Sequence, residues 1–249
     1  YTLTNFESRA TIDVDFLLRG YSNSIDDIKD LIYNIISTST GNDYIDMRAK
    51  GFEKISPQRK YHGISTQIIA QIKNVRVPFN IDIGVGDIIV PHAEERTINT
   101  QLPDFESPII KTYSLESTIA EKFDAILQRF ELTGRMKDFY DIYYLSRTFD
   151  FDGTKLQTAI FETLQRRGTP YDRDSFKRIV ALADNEDMQK LWKYFLKTLK
   201  DDTLEFPFVI AEIQTFIEPV FNAIVNEEEW QYTWEYSMNW LKTERSSNI

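Results

Sequence analysis

Two aspartates near the start of the chain have a spacing that suits metal-assisted chemistry. Residues 9–18 read R-A-T-I-D-V-D-F-L-L, where polar and apolar side chains alternate as in a half-buried strand. Asp13 and Asp15 therefore leave the same face of the predicted strand, with their Cα atoms about 6 to 7 Å apart. Like charges this close favour a bound cation, so the pair is a candidate metal site.

A third aspartate repeats the pattern. Asp82 lies between Ile81 and Ile83 in the segment F-N-I-D-I-G. If its strand neighbours the first one, three carboxylates meet, a set of oxygen donors that suits Mg²⁺, with Mn²⁺ as a substitute. Such a site could assist in-line phosphoryl or nucleotidyl transfer. The alternative is a solvated strand face, which is the more frequent explanation of an isolated D-x-D. The presence of Asp82 makes the two interpretations more nearly equal in support.

A predicted helix that begins after Ser114 carries a positively charged edge. On a helical wheel, Lys122 and Arg129 fall side by side at one margin of its apolar stripe. Such an edge can present positive charge to a ligand. The alternative is that these long side chains cover a core boundary with their aliphatic stems, which is the more frequent role of lysine at such positions.

The next predicted helix, from Met136, holds two acidic residues among apolar ones. Asp138 and Asp141 share a face, while apolar side chains nearly surround the helix. Buried carboxylates need cationic partners. A structural ion-pair network is therefore an alternative to direct catalysis by Asp138. The available partners are Lys122, Arg129, Arg135 and Lys137.

The periodicity of the whole chain predicts an α+β fold in two parts, an α/β domain over residues 1–110 and a helical domain over 111–249. Alternation or β-branched enrichment predicts strands, and apolar residues at helical spacing predict helices. The predicted strands span 9–18, 44–55, 61–72 and 75–84, and a first helix capped by Ser24 spans 25–37. Further helices are predicted at 155–167, 175–184, 187–199, 208–225 and 227–243.

The composition limits the partners of the protein. Its 249 residues contain 29 Lys and Arg against 39 Asp and Glu, a net charge of −10 that disfavours non-specific coating of a phosphate backbone. No cysteine, signal peptide or membrane span is apparent, so we expect a cytoplasmic protein without membrane contact. Any nucleic-acid contact must therefore be local, and a basic cluster around Tyr171 could form a confined acceptor groove for RNA. The alternative for this cluster is a solvated helix face. That cluster comprises Arg166, Arg167, Arg173, Lys177 and Arg178 around Tyr171.

Four motifs in register resemble the AbiEii/AbiGii-type, MenA-like nucleotidyl transferase toxin family. They are R-A-T-I-D-V-D-F, I-D-I-G-V-G-D, S-L-E-S-T-I-A-E-K-F-D-A-I and G-R-M-K-D-F-Y-D-I-Y-Y-L, which follow one another between residues 9 and 145. The resemblance implies a nucleotidyltransferase-like mixed sheet with flanking helices, followed by a helical domain that completes the active site. It implies Asp13, Asp15, Lys122 and Asp138 as catalytic residues, and Asp13, Asp15 and Asp82 as magnesium ligands. The implied nucleotide-binding residues are Arg9, Thr11, Lys122, Lys137 and Asp141.

The resemblance also implies a function. The chain would be the toxin of a toxin–antitoxin or abortive-infection system that transfers a nucleoside monophosphate from an NTP to an acceptor hydroxyl, for example on a tRNA, and a cognate antitoxin would bind it. The alternatives are a degenerate member that only binds a nucleotide or a protein partner, and a metal-dependent phosphohydrolase.

One family element has no counterpart in these residues. Family members carry a glycine-containing helix of the K-G-G or G-S type about a dozen residues before D-x-D, where backbone N–H groups cradle phosphates. None of residues 1–8 is glycine. We expect the numbered chain to begin after that element and, as written, to be a poor catalyst.

Overall fold

The computed structural model confirms the α+β fold and divides the chain into two compact units, one of residues 10–87 and one containing residues 88–249. The division precedes the predicted boundary at residue 110. Val90 explains the difference, because its N–H donates to Ser117 and its carbonyl accepts from Ser114, at the start of the first helix of the second unit. The structure describes residues 13–22, 24–39, 44–55, 63–85, 89–100, 106–132, 134–200, 203–236 and 239–243.

The first unit is a sheet with one helix on it. In its described part the strand order is β1-β4-β3-β2, with β1 parallel to β4 and the other pairs antiparallel. Helix α1 buries Ile28 and Ile32 against isoleucines of the sheet. Its cap is as predicted, since Ser24 Oγ accepts from the Asp27 N–H. The elements are β1 (Asp13–Leu18), α1 (Ile25–Ser37), β2 (Asp46–Ile55), β3 (Gly63–Ile72) and β4 (Val75–Val85).

The second unit is mainly helical, as predicted. Its helices are α2 (Leu115–Arg129), α3 (Met136–Thr148), α4 (Gly153–Arg167), α5 (Ser175–Ala181), α6 (Glu186–Leu199) and α7 (Phe206–Val225). Short 3₁₀ turns follow α2 and α5. Its strands are β5 (Glu94–Thr97), β6 (Ile109–Thr112), β7 (Phe151–Asp152), β8 (Tyr232–Glu235) and β9 (Asn239–Lys242). The sequence analysis did not anticipate the β5–β6 pair.

Helix α7 lies in the core of this unit. By length and composition it could cross a membrane, but half of that stretch is buried inside the protein. Its apolar side chains pack in one cluster with those of α2, α3, α4 and α5, and Phe216 and Phe221 are fully buried there. The apolar composition of α7 therefore reflects packing in the core of the protein.

The predicted helix over residues 227–243 is wrong, because this segment forms the β8–β9 hairpin on β7. The prediction rested on apolar residues four apart, such as Trp230 and Trp234. An interval of four also returns to the same face of a strand, so it does not separate the two periods. The run W-Q-Y-T-W alternates strictly, and Trp234 is buried against Phe216 at 4.9 Å between ring centroids.

Candidate active site

The three predicted metal ligands of the first unit lie on one face of its sheet. Strands β1 and β4 pair in parallel, and their register places Asp15 opposite Asp82 and Asp13 opposite Asn80. Registered neighbours project to the same side of a sheet, as do residues two apart on one strand. We call Asp13, Asp15 and Asp82 the acidic face; Asp15 is exposed and the other two are half-buried.

Two neutral residues hold carboxylates of the acidic face. The Asn80 side-chain amide donates to Asp13 Oδ1 at 3.1 Å, and the Ser65 hydroxyl, from β3, donates to Asp82 Oδ1 at 2.5 Å. Neither residue was predicted from the sequence. Asn80 could have been found by alternation, because it stands two residues before Asp82, whereas Ser65 depends on the register of β3 against β4.

The acidic face fits a hard divalent cation by residue type, since its donors are carboxylate oxygens. Within the described residues, no three Asp, Glu, His or Cys side chains gather closely enough to form a metal-binding group. Carboxylates repel one another unless positive charge lies between them. The chain itself therefore supplies the strand register that groups these residues, and their role as metal ligands stays a prediction.

A second ionic group lies in the other unit, between α2 and α3. Lys122 Nζ lies 2.6 Å from Asp141 Oδ2 and 3.7 Å from Asp138 Oδ1, and Arg135 Nε donates to Asp138 Oδ2 at 2.7 Å. Both aspartates are buried, whereas the side chains of Lys122 and Arg135 are 17% and 44% exposed. We call these four residues the Lys122 cluster. The prediction that the buried carboxylates are paired is confirmed.

Only some of the predicted cations form this cluster. Of the four available partners, Lys122 and Arg135 make the ion pairs described above, while Arg129 is exposed at the end of α2 and Lys137 is half-buried on α3. The predicted nucleotide contact by Lys137 and the predicted catalytic role of Asp138 stay predictions. Arg9 and Thr11 lie outside the described residues.

The opposite side of α2 carries another buried network, which the sequence analysis missed. Asp124 accepts hydrogen bonds from Thr169 Oγ1, from Gln128 Nε2 at 3.1 Å and from Arg167 Nη1 at 3.0 Å. Arg167 Nη2 also lies 3.3 Å from Glu121 Oε1. Asp124 has no exposed surface. This Asp124 network ties α2 to α4 and its C-terminal turn.

The basic cluster proposed as an acceptor groove is largely engaged within the protein. Arg167 belongs to the Asp124 network, Arg178 lies 4.4 Å over the Phe130 ring, and Lys177 lies 2.8 Å from Asp174. The nearly buried ion pair makes Arg167 less able to bind a polyanion, whereas the side chains of Lys177 and Arg178 stay exposed. The sequence could not reveal the contacts of Arg167 and Arg178, because they join segments distant in the chain.

With this geometry in view, the family model described as "Nucleotidyl transferase AbiEii toxin, Type IV TA system" matches residues 3–227. Among solved structures, JHP933 from Helicobacter pylori is similar at 12% identity and a TM-score of 0.42, covering 90% of this chain and 82% of that one. A candidate nucleotidyltransferase from the same species is similar at 12% identity and a TM-score of 0.40, covering 89% and 83%. No curated protein matches the chain in sequence.

Proposed function

Because the chain belongs to the AbiEii nucleotidyl transferase toxin family, we propose that it transfers a nucleoside monophosphate from an NTP to an acceptor hydroxyl. The observation that carries this proposal is the register of β1 against β4, which pairs Asp15 with Asp82 and leaves Asp13 on the same face. A toxin role and a cognate antitoxin as partner, which the family supports, are further parts of the proposal, as is the cytoplasmic location expected from the sequence.

The acidic face would hold the cation. Asp13, Asp15 and Asp82 would bind Mg²⁺, or Mn²⁺ in its place, and when bound the ion would offset negative charge on the reacting phosphates. The chain contributes the carboxylate oxygens and the strand register that keeps them together.

Lys122 would contact phosphate oxygens of the nucleotide. Its ammonium group has three N–H donors, of which Asp141 takes one at 2.6 Å, while Asp138 at 3.7 Å lies beyond hydrogen-bond distance. The contacts to the two buried carboxylates limit the rotamers of the lysine. The side chain of Lys122 is 17% exposed, so it is not fully enclosed by the protein.

The acceptor we propose is RNA, for example the end of a tRNA, and one face of α6 supports this choice. Lys190, Lys193 and Lys197 project from that face together with Tyr194, whose side chain is 72% exposed. Lysines that follow a backbone and an aromatic ring that can stack on a base are the usual elements of single-strand binding. Asp187, 3.0 Å from Lys190, offsets part of this charge.

One incubation separates the proposal from its alternatives. The full-length protein is mixed with Mg²⁺, labelled NTPs and total RNA, and both RNA and small products are analysed. Nucleotidyl transfer labels the RNA, whereas a phosphohydrolase releases nucleotide or phosphate without labelling it. A non-catalytic member does neither and retains NTP in equilibrium dialysis. Omission of Mg²⁺ is the control, and labelling that persists with EDTA would contradict the metal assignment.

The role of α6 has its own test. Charge reversal at Lys193 and Lys197 together should raise the KM for RNA without changing the affinity for NTP, and the same reversal at Lys177, which is paired with Asp174, is the matched control. An unchanged KM for RNA would remove α6 from the proposal.

A further inference from the structure

The polar face of the N-terminal sheet continues beyond the acidic residues. The row that crosses the sheet from Asp15 passes through Asp82 on β4 to Ser65 on β3. The parallel row from Asp13 passes through Asn80 to Gln67. Each carboxylate row thus meets a neutral hydrogen-bonding residue on a neighbouring strand.

The two contacts differ in strength. Ser65 Oγ lies 2.5 Å from Asp82 Oδ1, and the hydroxyl must be the donor because an ionised carboxylate only accepts. Such a distance is typical of a charge-assisted hydrogen bond. The Asn80 contact to Asp13 Oδ1 is longer, at 3.1 Å. Ser65 therefore restrains its carboxylate more tightly than Asn80 does.

We propose that Ser65 and Asn80 are positioning residues for the cation of the acidic face. Each donates to one oxygen of a carboxylate, so that the rotation of Asp82 and Asp13 about χ2 is restricted before a cation arrives. This inference rests on the proposed function, because it presupposes that the acidic face binds a divalent cation.

Ligands that are already oriented lose less conformational freedom when a cation binds, which is the physical reason for a positioning role. Hydrogen-bonded partners behind a metal ligand fix its orientation, and their loss typically lowers metal affinity about ten- to a hundredfold. Both donors are neutral, so they orient the carboxylates without cancelling the charge that attracts the cation. A lysine or arginine at either position would compete with the metal.

Mn²⁺ binding to the purified protein, without nucleotide, tests the proposal through electron paramagnetic resonance of the free ion. Ser65→Ala should raise the Kd for Mn²⁺ about ten- to a hundredfold, and Asn80→Ala should raise it less. Ser65→Thr keeps the hydroxyl and should restore most of the affinity. Gln67→Ala, two residues from Ser65 on the same face, is the matched control and should change nothing.

The outcomes separate this inference from the proposed function. A wild-type protein that binds no Mn²⁺ would overturn the metal site itself. Wild-type binding that persists unchanged in Ser65→Ala and Asn80→Ala would overturn only the positioning role, as would a loss in Gln67→Ala equal to that in Ser65→Ala. Should Ser65→Ala not fold, Ser65→Cys keeps the volume with a weaker donor, and the same rise in Kd is expected.

Discussion

The acidic face and the Lys122 cluster both hold aspartates close together, but the side chains that contact these aspartates differ. In the first unit the carboxylates lie at the sheet surface, and Asn80 and Ser65, which donate to them, are neutral. In the second unit Asp138 and Asp141 are buried and have the cations Lys122 and Arg135 beside them. A buried charge must be paired within the chain, whereas a charge near the surface is also stabilised by water. The two regions should therefore respond differently to mutation.

The largest contrast is expected for Asp15→Asn. It removes a proposed metal ligand, whose contribution of several kcal/mol corresponds to a loss of transfer of about a thousandfold. The free energy of unfolding without metal should change little, because Asp15 lies at the exposed surface of the sheet. RNA labelling and urea unfolding in EDTA measure the two quantities. A clear loss of stability in EDTA would mean that Asp15 is paired for structural reasons.

Lys122→Met, in contrast, should lower the free energy of unfolding. It leaves Asp141 buried without the ammonium group that lies 2.6 Å away, and breaking a buried pair in this way costs about 3 to 5 kcal/mol. Urea unfolding measures the loss.

Lys122→Arg is the control for this change. It keeps the charge and most of the stability, but it should reduce transfer, since a planar guanidinium does not replace a compact ammonium group. Full activity in this variant would show that transfer does not require the compact ammonium group at this position.

Asp124→Asn separates structural from functional ion pairs on the same helix. The variant keeps the shape of the side chain but removes its charge, which weakens the bond from Arg167 at 3.0 Å. A hydrogen bond to a charged group is worth about 1.5 to 3 kcal/mol, and that much stability should be lost while the folded protein transfers normally. Asp174→Asn, in the exposed pair with Lys177, should change the stability little. Lost transfer in folded Asp124→Asn would place this network in the active site.

The smallest effect on stability is expected at Glu116, at the start of α2. This acidic residue is half-buried, between the exposed Asp15 and the fully buried Asp141. Burial raises the pKa of Glu116 above its ordinary 4.5, and the charge of Glu94 adds to the rise. The folded protein thus holds this proton more tightly than the unfolded chain. The protonated carboxyl therefore adds to the free energy of unfolding below pH 4.5, and this contribution is lost as the pH rises through the raised pKa. Glu116→Gln should remove this loss of unfolding free energy with rising pH, as measured by urea unfolding at several pH values. An unchanged slope of unfolding free energy against pH would count against it.

Local pattern was enough to predict most elements. The helix over residues 25–37 matches α1, and its serine cap forms the expected hydrogen bond, because capping depends on neighbours within one turn. The failure at residues 227–243 has an equally local cause, since apolar residues four apart suit both a helix and a strand. Only the packing of Trp234 and Trp240 around Phe216 decided for the hairpin.

For the candidate site, the sequence by itself determined that Asp13 and Asp15 share a strand face and that buried Asp138 and Asp141 need cations, because both follow from the periods of a strand and a helix. Tertiary structure alone decided that Asp15 lies opposite Asp82, that Ser65 reaches Asp82, and that Lys122 and Arg135 supply the positive charge. These choices depend on strand register and helix packing between segments far apart in the chain, which local periodicity does not encode.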